Sequence, residues 1–116
     1  MRAVALYCVA IATVRNRRWC EVGSLEEAEK AVSAGVDAII VQGHEAGGHV
    51  IGQDGLINLL PRVVDLVADR NVIIIAAGGI VDGRGYVAAL SLGAHGICLG
   101  TRLVLCYFLW KVLIFF

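Results

Sequence analysis

Two hydrophobic patterns take turns along the chain from Trp19 onward. In SLEEAEKAVSAG (24–35), Leu25, Ala28, Ala31 and Val32 recur every three or four positions among charged neighbours. In AIIV (38–41), VIIIA (72–76) and GICL (96–99) the apolar run is short and unbroken. The first pattern puts a stripe on one face of a helix, and the second is that of a strand covered on both faces. Ser24-Leu25-Glu26-Glu27 forms a capping box: the Ser24 hydroxyl accepts from the Glu27 N–H while the Glu27 side chain reaches back. These features predict a helix over 25–34, stopped by Gly35 in a left-handed conformation. They predict two further helices, over 59–68 with Pro61 in its first turn and over 84–92 with Gly93 as its stop.

The segments SAGVDAIIV (33–41) and SLGAHGICL (91–99) share one layout of helix end, stopping glycine, two-residue step and buried strand. A strand–helix unit is therefore repeated. The expected fold class is α/β, a partial (β/α)8 TIM barrel of about three to four β/α units with apolar helical ends.

Loops that follow strands differ from those that precede them. GHEAGGHVIGQDG (43–55), AAGGIVDGRG (76–85) and GTR (100–102) are rich in glycine, whereas GVD (35–37) and GAH (93–95) are short and plain. In repeating β/α units the post-strand loops gather at the carboxyl end of the sheet, where such folds carry their chemistry. Gly78 and Gly79 can present amides to phosphate oxygens beside a helix start, with Gly100 and Thr101 closing from the next strand. Arg84 is expected to pair with Asp82 or solvent, and Arg102 is not assigned a role.

His44-Glu45 and His49 invite comparison with the HExxH zinc helix, but here the histidines are five apart, about 140° off on a helix. Gly47-Gly48 would also break such a helix, so no metal is expected. An imidazole on a glycine loop over a bound planar group suits proton abstraction from a carbon acid. On this chemistry His44 and His49 are equal candidates. Glu45 is expected to orient the loop through backbone N–H groups, and His95 to lie at the surface.

Composition narrows the classes. With 59% hydrophobic residues, 17% charged and a mean hydropathy of +0.78, the 116-residue chain is not disordered. Its zero formal charge builds no basic stripe, so no nucleic-acid partner is expected. The four cysteines form no CxxC pair and read as buried, reduced thiols. Residues 103–116, LVLCYFLWKVLIFF, are shorter than the ~20 residues of a spanning helix, which predicts a helix that docks on a partner surface rather than a membrane span. The location is expected to be cytoplasmic, with the apolar run 3–14 leaving a signal-peptide alternative open.

QGHEAGGHV (42–50), LLPRVVDLV (59–67) and IIAAGGIVDGRGYVAALSLGAHGICLGTR (74–102) together resemble the nitronate monooxygenase family, formerly called 2-nitropropane dioxygenases. Bacterial FMN-dependent enoyl-acyl-carrier-protein reductases share these signatures. The resemblance covers about residues 21–102 and implies a TIM-barrel flavoenzyme with non-covalent FMN. It implies that His49, closing the EAGGH motif, is the catalytic base. Gly79, Gly100 and Thr101 would bind the FMN phosphate, Gln42 would lie beside the flavin, and Gly47 and Gly78 complete the implied cofactor-binding set. The implied reaction oxidises an alkyl nitronate: one electron passes to FMN, molecular oxygen reacts, and a carbonyl compound and nitrite result. With a neutral nitroalkane, His49 would first remove the α-proton. An FMN- and NAD(P)H-dependent reductase of an enoyl thioester or quinone, and a non-catalytic fragment, are the alternatives. Residues 1–18 and 103–116 depart from the family pattern, so residues 19–102 are expected to form a truncated, central-to-late slice of the barrel.

Overall fold

The computed structural model describes residues 17–100. The expectations for the apolar run 3–14, the tail 103–116, Cys8, Cys106, Thr101 and Arg102 lie outside the described residues. Four strands and three helices alternate: β1 (Trp19–Val22), α1 (Leu25–Ser33), β2 (Ala38–Gln42), α2 (Leu56–Leu66), β3 (Ile73–Ala77), α3 (Gly83–Ser91) and β4 (Gly96–Cys98). The sheet is fully parallel, in the order β1-β2-β3-β4.

Strand alternation divides the sheet into two faces. Val22, Ile39, Val41, Ile74 and Ala76 share one hydrophobic core with Ala28, Ala31 and Val32 of α1, Leu56, Leu59, Leu60 and Val63 of α2, and Ala89 of α3. Glu21, Ile40, Gln42, Ile75 and Ala77 occupy the alternate positions and stand on the opposite face. Sequential strand order with the helices on one face is an arc of a β/α barrel. A doubly wound sheet would reverse its order and carry helices on both faces. Leu59, Leu60 and Val63 lose all solvent exposure, a gain of about 1.5–3 kcal/mol for each side chain. β2 is buried at all five positions, so the face opposite the helices is not exposed there as a bare half-barrel would predict.

α1 follows its capping box closely. Ser24 Oγ accepts from the Glu27 N–H at 3.2 Å, and the Glu27 carboxylate returns to the N–H of Gly23 at 2.7 Å. Gly35 and Gly93 end α1 and α3 with φ of 74° and 100°. At Gly93 a Cβ would also come within 2.7 Å of Val64 Cγ1, so helix stop and inter-helix contact need the same glycine.

Three features differ from expectation. β1 was not foreseen, because Glu21 interrupts its apolar run; pairing of Trp19–Val22 with Ala38–Val41 makes it a strand. His95 is exposed as expected, yet its Nδ1 accepts from the Ile74 N–H at 3.0 Å and its own N–H donates to Ile74 O at 2.8 Å. That pair of bonds ties the entry of β4 to β3. Finally, α2 begins three residues early, placing Pro61 in its second turn rather than its first.

The early start has a tertiary cause. Gly55, the N-cap, has no side chain to satisfy the first amide. Glu45 does so from across the loop: its two carboxylate oxygens accept from the Leu56 N–H at 3.1 and 3.0 Å. This is a cap and a favourable charge at the positive end of the helix. Pro61 withholds a donor from the carbonyl of Ile57, a residue that is 75% exposed and open to hydration. Glu45→Ala is expected to remove about 1–2 kcal/mol of stability. A lower urea midpoint with an unchanged slope is the check.

Candidate active site at the carboxyl rim of the sheet

The loop after β2 is tied to the strand that precedes it. Gln42, at the last position of β2, is buried. Its Nε2 donates to His49 O at 2.9 Å, and its Oε1 accepts from the Ile51 N–H at 2.9 Å. A single side-chain amide thus replaces the backbone ladder that the loop lacks, and it fixes the main chain on both sides of Val50. Ala46 N–H closes a turn onto Gly43 O at 3.0 Å, and the Gly43 N–H reaches Ala77 O of β3 at 2.9 Å.

Glycine lets neighbouring loops meet backbone to backbone. A Cβ on Gly23, just past β1, would lie 2.5 Å from the Gly52 nitrogen. Gly78 and Gly79, just past β3, have φ of 111° and 67°. A Cβ on Gly78 would meet Gly43 O at 3.0 Å and Ala46 N at 3.1 Å, and one on Gly79 would meet Glu45 Cβ at 3.0 Å. The loops after β1, β2 and β3 are therefore one packed unit. Ala77 pairs with Cys98, which puts Gly78 and Gly79 next to the Leu99-Gly100 exit of β4. Around Gly100 no described atom lies within 4 Å of where a Cβ would stand. Side-chain-free backbone on two adjacent strand ends, open on one side, suits a phosphate group.

The start of α3 does not add to this anion site. Asp82 Oδ1 accepts from the N–H groups of Arg84 and Gly85 at 3.0 and 3.4 Å, so the helix caps itself with its own carboxylate. The Arg84 guanidinium returns to Asp82 Oδ2 at 2.6 and 3.0 Å, which is the pairing the sequence suggests.

The two histidines of the motif part company. His44 is held down twice: its N–H donates to Asp54 O at 2.9 Å and its Nδ1 lies 3.0 Å from Gly52 O. His49 is exposed, and only its carbonyl is anchored, by Gln42. No hydrogen bond holds its ring among the described residues. Gly47 and Gly48 before it are exposed, and Gly48 has φ of 74° with open space around it.

The rim thus brings together Gln42, Gly47, His49, Gly78, Gly79 and Gly100; Thr101 lies outside the described residues. The resemblance implies a flavin contact for Gln42, whereas in the structure both polar ends of its amide bind the loop backbone. Glu45, expected to act through backbone N–H groups, does so at Leu56. One charged residue escaped the sequence reading. Glu21 on β1 is partly buried, and burial raises its carboxyl pKa above the ordinary 4.5 while the nearby His49 opposes the rise. Its signal was an acidic residue at an alternating position of a strand in a strongly apolar chain. Among the described residues no cluster of three or more metal-ligating side chains occurs, and no helix is long and apolar enough to cross a membrane.

Known proteins resemble this chain both in sequence and in geometry. Residues 13–107 match the family model described as nitronate monooxygenase. Over 87 residues the chain is 46% identical to the nitronate monooxygenase of Neurospora crassa, covering 71% of this chain and 23% of that protein. The structure of FabK from Thermotoga maritima superposes with a TM-score of 0.66 at 42% identity, over 74% of this chain and 26% of that one. Nitroalkane oxidase from Streptomyces ansochromogenes gives 0.65 at 36% identity, over 72% and 26%. A mandelate oxidase variant solved with a monooxide FMN adduct gives 0.59 at 28% identity, over 71% and 26%. The chain spans about a quarter of the length of these relatives. With the parallel β/α arc, the glycine rim and the EAGGH loop in place, the chain belongs to the nitronate monooxygenase family.

Proposed function

We propose that this chain supplies the phosphate-gripping and proton-handling rim of an FMN-dependent oxidoreductase that oxidises alkyl nitronates with molecular oxygen. The observation that carries this reading is the packing of Gly78 and Gly79 against the 43–46 turn of the loop that also carries His49. One rigid rim then serves both ends of a mononucleotide cofactor.

The residues fit FMN by their chemistry. Gly78 and Gly79 offer left-handed backbone at one strand end and Gly100 offers open backbone at the next. Together with the Thr101 hydroxyl they would hold the phosphate through N–H and O–H donors. FMN, when bound, supplies the electron acceptor for the nitronate carbon and the route of electrons to oxygen. Gln42 sets the position of His49 by gripping its carbonyl, and Gly47 and Gly48 themselves add no side chain to the loop.

His49 handles the proton. A neutral nitroalkane must lose its α-proton before oxidation: the C–H bond breaks, an N–H bond forms on the imidazole, and the electron pair stays on the substrate as the nitronate. An exposed imidazole with no hydrogen bond to its ring among the described residues is available for that transfer. His44, with its ring bound to Gly52 O, is a structural residue of the loop. A nitronate offered directly bypasses the proton step.

Flavin retention, nitrite release, nitroalkane turnover and NAD(P)H oxidation check these assignments. The purified chain is expected to retain yellow flavin absorbance through gel filtration and to release nitrite from an alkyl nitronate. His49→Ala is expected to lower nitroalkane turnover about 10²–10⁴-fold, with a smaller loss on the preformed nitronate. Folded chain that retains no FMN overturns the cofactor assignment. Rapid NAD(P)H oxidation with an enoyl thioester, and none with nitronate, overturns the substrate assignment.

A further inference from the structure

β1 places a charge where its neighbours place hydrocarbon. Cys20 and Val22 point into the core beneath the helices, so Glu21 between them stands on the opposite face of the sheet. Its register partner there is Ile40. Two residues on from Ile40 is Gln42, whose amide holds the carbonyl of His49. The Glu21 carboxylate and the backbone of His49 are thus brought to the same corner of the rim, one by β1 and the other through Gln42 of β2. No hydrogen-bond donor reaches the Glu21 carboxylate among the described residues. From β2 the residues beside it on this face, Ile40 and Gln42, are uncharged; α1 lies across the other face. From loop 43–55, the charged group that acts on it is His49.

We propose that Glu21 is a positioning residue that acts through His49, its carboxylate on the neighbouring strand stabilising the imidazolium formed when the α-proton is taken. This deepens the function proposed above and rests on His49 as the base. The proton balance is unchanged: it moves from substrate carbon to imidazole nitrogen, and Glu21 remains a carboxylate. A partly buried carboxylate that no hydrogen-bond donor among the described residues reaches gains from a positive charge appearing beside it.

The burial of Glu21 has a separate consequence for stability. Its carboxyl has a higher pKa in the folded chain than the ordinary 4.5, so the folded state binds the proton more tightly than the unfolded state. The associated stabilisation is complete below 4.5 and is lost as pH rises through the raised folded value. Glu21→Gln is therefore expected to have a higher urea midpoint than the parent at pH 7, with the difference shrinking as pH falls toward 4.5. A midpoint difference independent of pH would overturn the burial argument.

Two arms test the pair. In the first, the Glu21 carboxyl carbon is titrated by NMR in the parent chain and in His49→Ala, with no turnover required. The midpoint is expected to rise when His49 is removed, because a neighbouring positive charge no longer favours the carboxylate; an unmoved midpoint overturns the proposal. In the second, Glu21→Gln and Glu21→Asp are assayed on a neutral nitroalkane and on its nitronate. Nitroalkane turnover is expected to fall about tenfold more than nitronate turnover in Glu21→Gln and to recover in part in Glu21→Asp, within the range of general-base effects. Equal losses on both substrates indicate a merely structural role and overturn it. If the parent turns over neither substrate, the proposed function fails, while the first arm still decides whether Glu21 and His49 act as a pair.

Discussion

Close approach of backbone to backbone at the carboxyl rim is the constraint on which the rest of this structure depends. Gly23 touches Gly52 at a separation where a Cβ would collide, and Gly78 rests so tightly against Gly43 O and Ala46 N that a Cβ would need them to give. A methyl group at either place would push the loops apart by a sizeable fraction of an ångström, and close-packed surroundings transmit such strain rather than absorb it. The same absence of side chains would serve the proposed phosphate grip, since amides that approach another loop closely can approach a phosphate equally closely. Stability and the proposed binding therefore ask for glycine at the same positions.

Polar side chains then complete what the glycine-rich backbone cannot do for itself. A loop without helix or strand leaves its N–H and C=O groups to find other partners. Gln42 meets two of them and Glu45 meets the first amide of α2. Each of these residues sits at the start of the loop and reaches its far side, so the loop is drawn closed by its own first residues. The consequence extends beyond the rim, because the α2 start set by Glu45 brings Leu56 into the core together with Leu59, Leu60 and Val63. Site and core are joined through one carboxylate.

The different settings of the two motif histidines follow from the same closure. His44 lies inside the closed part of the loop, where its ring and its backbone N–H both find carbonyl partners. His49 lies past the glycine pair, anchored only by its carbonyl, with its side chain outside. Glu21 belongs to this corner although it is distant in the chain, since parallel pairing brings β1 alongside β2. Its partial burial is unfavourable for the carboxylate by itself, and the nearby His49 opposes that effect.

Local chemistry made much of this protein legible from its residues. The capping box at Ser24, the stops at Gly35 and Gly93, and the apolar runs that become β2, β3 and β4 are decided within a few residues, and the structure moves their ends by only one or two positions. The glycine asymmetry between post-strand and pre-strand loops likewise marks the rim at which the loops meet backbone to backbone. What stayed hidden depends on residues far apart in the chain. β1 is a strand because β2 lies beside it, and α2 begins at Leu56 because Glu45 reaches it from 11 positions away. His95 joins β3 to β4 through Ile74, a partner 21 positions away. Periodicity and capping rules see a window of a few residues; the placement of a carboxylate against a distant amide, or against a distant imidazole, exists only once the strands have aligned.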